Sequence, residues 1–191
     1  MNQTPYIKFN PSQIEKIGNT VVYICERIPQ LSKTKLLKLL YILDELSIKK
    51  SGIPFLNLQY KVWKFGPVSE EIFIDLSSNM TLLGKYVTRT NKDEHTYLCA
   101  RVPFTDDEFS DNDIELMNSV VEKFGNMDAS ALIAYTHRPN SPWFNVAKEH
   151  AVLELLENET INNTELLIDM GQLVSHDPRK SEIYTDYLEF N

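Results

Sequence analysis

Four histidines are the first residues of this sequence that could carry catalysis or metal binding: His95, His137, His150 and His176. No two of them stand four positions apart, the spacing that places two metal ligands on one face of a helix. The sequence also lacks the glycine-rich, Cys-x-x-Cys, His-Glu-x-x-His and Gly-x-Ser-x-Gly patterns of nucleotide, redox, metal and acyl-transfer sites. We therefore predict no catalytic, cofactor-binding or metal-binding residues and expect a protein that is not an enzyme. An enzyme of unrecognised type is the weaker alternative.

Two other groups of reactive side chains also favour structural roles. The acidic run at residues 106–113 lacks the glycine and the final glutamate of a calcium-binding loop, so we assign it to the start of a helix. Cys25 falls on an apolar helical stripe and Cys99 in a strand-like segment. We expect both to be reduced thiols in the core.

Two short segments combine aromatic, basic and turn-forming residues in a way that could hold a partner. The first is Trp63-Lys64-Phe65-Gly66-Pro67, where two large aromatic rings approach a turn that we expect to open a helix. The second runs from His137 through Ser141-Pro142 to Trp143, where Ser141 can cap a helix. In both segments the alternative is structural: the aromatic rings pack in the core and the small residues turn the chain.

The elements that must position these segments begin with two helices. Asn10-Pro11 starts the first, which ends at Pro29, and Ser32 caps the second, which ends at Ser51-Gly52. Leucines cover so much of the second helix that we expect it to be the centre of the core.

Shorter elements follow. Residues 55–65 alternate like a strand, and Pro67 is predicted to be the first residue of a new helix. Residues 84–90 and 95–102 predict a hairpin with residues 91–94 between its strands. Later helices are expected from Ser110 or Asp111 to Gly125, after Asp128 and after Ser141, then over Ala151–Glu157 and Asn163–Leu173. Residues 177–191 are polar and are predicted to be poorly fixed. The predicted fold class is mainly α (α+β), a compact helical domain with a small inserted β-hairpin or sheet.

Composition excludes several classes of function. The 191 residues carry a formal net charge of −8, which argues against broad binding of nucleic-acid backbones. No run of roughly 18 apolar residues could span a membrane. The polar start, Met1–Asn10, has no apolar signal core, so we expect a cytoplasmic protein.

Taken together, the segments resemble the Panacea antitoxin domain, a SocA-like family also found in phage-associated GepA proteins. Four matches follow the family order: residues 35–41 (Lys-Leu-Leu-Lys-Leu-Leu-Tyr), 52–55 (Gly-Ile-Pro-Phe), 63–68 (Trp-Lys-Phe-Gly-Pro-Val) and 136–143 (Thr-His to Ser-Pro-Trp). The resemblance assigns residues 1–150 to the family domain, with its core motifs in 30–150. Residues 151–191 are then a C-terminal helical extension and polar tail.

The resemblance implies a bacterial or phage-associated antitoxin that neutralises a cognate toxin by direct protein–protein contact. The toxin would be encoded by an adjacent gene, and the alternative is a proteolytic adaptor that delivers the toxin to a cytoplasmic protease. Neither a cofactor nor a membrane is implied as a partner. The residues predicted to bind the partner are Tyr41, Trp63, Lys64, Phe65, Gly66, Pro67, His137, Ser141, Pro142 and Trp143.

Overall fold

The computed structural model describes residues 9–190. Most of Met1–Asn10, the segment in which we found no apolar signal core, lies outside the described residues. Helices within this range are α1 (Pro11–Arg27), α2 (Lys33–Ser51), α3 (Glu70–Ser77), α4 (Asp111–Phe124), α5 (Ala129–Thr136), α6 (Pro142–Glu149), α7 (Leu153–Glu157), the 3₁₀-helix Met170–Leu173 and α8 (Pro178–Phe190). Strands are β1 (Leu31–Ser32), β2 (Lys61–Trp63), β3 (Gly66–Val68), β4 (Val87–Lys92) and β5 (His95–Ala100). Helices dominate over two small antiparallel sheets, which confirms the predicted mainly α (α+β) class.

The first two helices begin and end where their cap residues predict. The Asn10 side chain accepts a hydrogen bond from the Gln13 amide at 2.9 Å, and the Ser32 hydroxyl accepts one from Lys35 at 3.2 Å. Gly52 ends α2 with a left-handed φ of 82°, a conformation that costs glycine little. These local contacts fix the boundaries without help from distant residues.

Helix α2 is the centre of the core, as predicted. Five of its six leucine side chains are almost completely buried, and α3, α4, α5 and α8 all pack against it. The same helix buries three charged side chains, Lys38, Asp44 and Glu45, each at most 1% exposed. Because a buried charge needs compensation, each of these residues must have a specific partner.

Asp44 ties the loop after α2 to the helix. Its carboxylate accepts hydrogen bonds from the backbone amides of Leu56 (2.6 Å), Asn57 (3.2 Å) and Leu58 (3.2 Å), and from the Tyr60 hydroxyl (2.7 Å). Burial raises the pKa of this carboxyl group, and the four donors oppose that rise. These hydrogen bonds therefore fix the backbone of the loop between α2 and β2.

The larger sheet has the strand order β1-β5-β4 and contains the predicted hairpin. Its loop is Asp93-Glu94, both with positive φ, as a two-residue hairpin turn requires. Asn91 and Lys92, which we placed in the loop, instead pair with Thr96 and His95. The hairpin is confirmed, with a shorter loop than predicted.

The prediction that Pro67 begins a helix is wrong. Pro67 lies in β3, which pairs with β2 through Trp63↔Gly66 and Val62↔Pro67, and α3 begins only at Glu70. In an antiparallel hairpin closed by the Trp63–Gly66 pair, the next pair exchanges no hydrogen bonds. Proline is tolerated there because its missing N–H is not needed.

The predicted helix Asn163–Leu173 is also wrong over most of its length. Residues 162–168 run beside β2: the Val62 amide donates to Leu166 O at 3.0 Å and the Ile168 amide donates to Tyr60 O at 2.8 Å. Only Met170–Leu173 is helical, as a 3₁₀ turn. The second edge of β2 needs backbone partners, and this segment supplies them.

Residues 177–191, predicted to be poorly fixed, form helix α8 over Pro178–Phe190. The Lys180 ammonium donates to Lys49 O at 2.8 Å, at the end of α2. A Cβ on Gly52 would come within 2.6 Å of Lys180 O, so the two helices approach closely. This contact holds α8 against the domain.

The two cysteines differ in exposure, and the expectation that both lie in the core is wrong for Cys99. Cys99 is exposed and Cys25 is half-buried. Burial, with a smaller contribution from Cys99, raises the pKa of Cys25 to about 12. Because the thiolate is the reactive form, Cys25 should resist alkylation.

We expect iodoacetamide at pH 8 to modify Cys99 quickly and Cys25 only on unfolding, as followed by intact-mass spectrometry. The Cys99→Ser variant should then show almost no modification until denaturant is added. Two thiols that react at equal rates in the folded protein would contradict this assignment.

Candidate functional site

The ten predicted partner-binding residues converge where the β2–β3 hairpin meets α2 and the turn between α5 and α6. The Trp143 indole N–H donates to Trp63 O at 2.9 Å, which joins the two segments singled out in the sequence. The Lys38 ammonium of α2 donates to Pro67 O at 2.8 Å. Segments that lie 80 positions apart in the sequence therefore form one joint.

Lys38 is the residue of this joint that the sequence did not single out. It is 1% exposed and forms no ion pair with any residue that the structure describes. Burial lowers the pKa of its ammonium group to about 7. The signal that could have found it was a charged residue inside the apolar run Leu36–Leu43, within the motif at residues 35–41.

Gly66 is the closest point of approach between the hairpin and its support. Its φ of +96° favours glycine, and an added Cβ would lie 2.6 Å from Thr136 Oγ1 and 3.1 Å from Lys38 Cε. A larger residue would push the hairpin away from both α2 and α5. The glycine therefore allows the hairpin backbone to lie directly on this surface.

His137 stacks flat on Trp143, with ring centroids 3.7 Å apart and an angle of 8° between the planes. Its Nε2 atom is buried and has no hydrogen-bond partner among residues 9–190. Burial first, and then the charge of Lys38, lower the pKa of His137 to about 4. His137 is thus a neutral, stacked ring at physiological pH, which does not suit a general base poised near neutrality.

This shift predicts a pH dependence. A histidine with a folded pKa of about 4 and an unfolded pKa near 6.5 contributes stability above pH 6.5, and this is lost as the pH falls towards 4. The variant His137→Phe keeps a stacking ring but has no group that titrates. We expect the wild type to lose unfolding free energy relative to this variant when the pH is lowered from 7.5 to 4.5. Urea titrations at each pH measure this difference, in which the contributions of the carboxylates common to both proteins cancel. A difference that does not change with pH would contradict the shift.

Three further polar groups of α2 and the α5–α6 turn lie beside this joint. Tyr41 is fully buried, edge-on to Tyr60 at 5.1 Å, and its hydroxyl has no partner among the described residues. Glu45, also fully buried, forms ion pairs with Arg138 and Lys49. Two surface cavities of the protein are lined by other residues. Tyr41 and Glu45 are therefore packed inside the domain, next to this joint.

Exposure separates the ten predicted residues into two groups. The buried group is Tyr41, Gly66, Pro67, Ser141, Pro142 and Trp143. Trp63, Lys64 and His137 are partly exposed, and Phe65 is 55% exposed. Trp63 also packs edge-on against Phe73 at 4.9 Å. Phe65, which forms the two-residue turn of the hairpin with Lys64, is thus the one of the ten whose side chain is largely exposed.

Phe65 borders a groove of about 330 Å³ between the start of α2, the β4–β5 turn and α5. We call it the Phe65 groove, and its lining residues are Ser32, Lys33, Thr34, Phe65, Glu94, His95, Thr96 and Ile133. Lys64 places its ammonium 4.7 Å from the centre of the Phe65 ring and pairs with Glu159 at 2.7 Å. The ring is therefore held in place from one side and open to the groove on the other.

Within residues 9–190, no three histidine, cysteine, aspartate or glutamate side chains are grouped so that they could hold a metal ion. No helix in that range combines the length and apolar character needed to cross a membrane.

One comparison with known proteins gives a match. A family model described as "Antitoxin SocA-like, Panacea domain" matches residues 36–144, more than half of the chain and a range that contains all ten predicted residues. No curated protein and no solved structure matches the chain.

Proposed function

This chain belongs to the SocA-like Panacea antitoxin family and has an antitoxin-type role, and we propose that it neutralises a cognate toxin by direct contact through the surface around Phe65. The observation that carries this proposal is an exposed aromatic ring at the turn of a hairpin whose other residues are buried or only partly exposed. The toxin is proposed to come from an adjacent gene and to be met in the cytoplasm.

The hairpin suits a binding role because it is already fixed in one conformation. Lys38 and Trp143 bind its backbone from two sides, at Pro67 and at Trp63. An interface aromatic that is rigid before binding loses little conformational entropy when the complex forms. Phe65 therefore fits the description of an anchor residue, the kind that contributes most of the free energy of an interface.

Net charge supports fast association with a basic toxin. At −8, the chain would attract a positively charged partner over distances comparable to the Debye length. The association rate should then fall as salt is raised from 50 to 500 mM, as measured by stopped-flow fluorescence. A rate that does not depend on salt would remove electrostatic steering but leave the contact at Phe65.

Co-expression with the adjacent reading frame tests the proposal. The neighbour should arrest growth when expressed alone, and the wild-type chain should relieve the arrest and co-purify with it. Phe65→Ala should weaken the complex about 30-fold, the effect of removing an anchor aromatic, whereas Phe190→Ala should not. Phe190 is a matched control because it is 83% exposed on α8, outside the groove.

The result also separates the proposed function from its alternatives. Rescue in which the neighbour disappears from the cell would indicate a proteolytic adaptor. A neighbour that is toxic but not relieved by the wild-type chain would contradict neutralisation. The absence of enzymatic activity stays a prediction, supported by the closed packing around His137 and Lys38.

A further inference from the structure

Strand β4 lies at the outer edge of the larger sheet and pairs with one strand, β5, in the part of the chain that the structure describes. Its second edge faces away from β5, and residues 88–92 are all exposed. A strand edge with free backbone groups can accept the backbone of another strand. This edge is therefore a candidate interaction surface.

The register of β4 shows which backbone groups point outward. In an antiparallel pair, every second residue exchanges hydrogen bonds with the partner strand, and the residues between point to the other edge. The Arg101 amide donates to Tyr86 O at 2.8 Å, which assigns the even-numbered residues of β4 to β5. Arg89 and Asn91 therefore direct their amides and carbonyls outward, and these four groups have no hydrogen-bond partner among residues 9–190.

We propose that two copies of this chain associate through β4, antiparallel and across a two-fold axis at Thr90. Arg89 of each copy then faces Asn91 of the other, and these two pairs exchange four backbone hydrogen bonds. Thr90 faces the same residue of the second copy, and Thr88 faces Lys92. This register satisfies every free group at Arg89 and Asn91 and sets no like charges directly opposite each other.

The neighbouring registers fit the edge less well. An axis at Arg89 would oppose two guanidinium groups, and it would need the Val87 amide, which already donates to a carbonyl in the turn before β4 at 3.0 Å. An axis at Asn91 would pair Arg89 with Asp93, whose φ of 49° takes it out of the extended conformation. The free groups therefore select the axis at Thr90.

Charge complementarity makes a second copy the occupant. Lys85, Asp93 and Glu94 are exposed, and none of them forms an ion pair with another residue that the structure describes. In the proposed register, the Asp93-Glu94 turn of each copy lies opposite residues 86 and 87 of the other, next to Lys85. Opposite charges then meet at both ends of the paired strands. Another protein's strand would use the same backbone groups, whereas the acidic turn beside Lys85 is supplied by a second copy.

The pairing also closes on itself. A two-fold axis uses the β4 edges of both copies and joins the two three-stranded sheets into one, which ends at the two β1 strands. Because β1 is only Leu31–Ser32 and the chain enters α2 directly after it, a third copy finds little edge to extend. Glu94 also lines the Phe65 groove, so the second copy borders the proposed toxin-binding surface.

Cysteine crosslinking tests the register, in a Cys99→Ser background that removes the exposed thiol. Thr90→Cys should form a disulfide between two copies in oxidised glutathione, because directly opposed side chains have Cβ atoms about 4.5–5.5 Å apart. Thr88→Cys should not, because the two residues 88 lie about 13 Å apart along the strands in this register. Non-reducing electrophoresis and intact mass measure the product. Crosslinking at 88 instead of 90, or at neither position, would overturn the proposal.

Sedimentation of the full chain gives a second measurement. The interface is small, so we expect a dimer with a Kd of roughly 10–100 μM. Asn91→Pro removes an outward amide from each copy but no bond to β5, since proline is tolerated on the open side of an edge strand. It should weaken the dimer at least tenfold. Asn91→Ala is the matched control, because it loses the same side chain, keeps the amide and should associate like the wild type.

The remaining outcomes decide between occupants. A wild-type chain that stays monomeric up to about 300 μM would show that a second copy does not bind at this edge. If, in addition, Asn91→Pro but not Asn91→Ala weakens the complex with the adjacent gene product, the edge belongs to that partner and our assignment is wrong. Relief of growth arrest by the wild-type chain is scored separately, so the failure of the dimer leaves the proposed function in place.

Discussion

Replacing Asp44 with alanine should lower the free energy of unfolding by about 4 kcal/mol, because buried donors lose their acceptor. The backbone amides of Leu56, Asn57 and Leu58 and the Tyr60 hydroxyl all donate to this carboxylate. Each unsatisfied buried donor costs about 1–3 kcal/mol, and the loop can relax enough to recover part of that cost. Urea denaturation followed by circular dichroism measures the loss.

Two comparisons make the Asp44 result specific. Asp107→Ala removes an exposed carboxylate and should change the unfolding free energy by less than about 0.5 kcal/mol. Asp44→Asn keeps one accepting oxygen and should fall between the two. Amide exchange at residues 56–58 should rise in Asp44→Ala even under native conditions. A loss below about 1 kcal/mol would mean that the loop holds its path without the carboxylate.

Replacing Trp143 with alanine should cost about 3–5 kcal/mol, the range for removing a large aromatic side chain from a core. The indole is 1% exposed, stacks on His137 and donates to Trp63 O. Its loss leaves a cavity beneath the β2–β3 hairpin and frees the α5–α6 turn. Thermal and urea unfolding measure the change.

Trp63→Ala is the matched control for this second result. Trp63 is partly exposed and packs mainly on Phe73, so its loss should cost less than that of Trp143. Trp143→Phe keeps a stacking ring but removes the hydrogen bond to Trp63 O and part of the buried ring volume, so it should cost less than Trp143→Ala. Equal losses for the two alanine variants would contradict the assignment of Trp143 as the central support of the hairpin.

Local signals in the sequence were enough to predict most helices. Asn10, Ser32, Ser110, Asp128 and Ser141 all cap the helices that they were predicted to cap. A cap acts within about three residues, so its effect is visible in a short window of sequence. The β4–β5 hairpin was predictable for the same reason, although its loop was predicted to begin at Asn91 and in fact begins two residues later, at Asp93.

Two of the wrong predictions have a common cause, pairing with β2, and for one of them the partner lies about a hundred positions away. Pro67 and residues 163–169 were predicted to be helical. Instead, Pro67 pairs with Val62 of β2, and residues 163–168 run beside the same strand. The residues that pair with a strand can lie a hundred positions away in the sequence. Local propensity gives no information about such a neighbour, and tertiary pairing overrides it.

The sequence indicated which segments meet but not which of their side chains are buried. The motif segments that suggested partner binding do meet, yet burial of Tyr41 and Trp143 could not be distinguished from exposure by residue type alone. Lys38 was missed because lysine on a leucine-rich helix normally extends to solvent. Here the hairpin covers it, and Pro67 O accepts its hydrogen bond.

The long separation between β2 and the segment beside it also sets an order of events during synthesis. Thr164 donates to Val62 O across 102 positions of sequence. At about 5–20 residues per second, the ribosome needs roughly 5–20 s to make the chain between them. During that interval the outer edge of β2 has no backbone partner, although the β2–β3 hairpin can already form. The nascent chain therefore exposes an unpaired strand edge beside the proposed binding surface, and early binding of another chain to that edge would compete with completion of the fold.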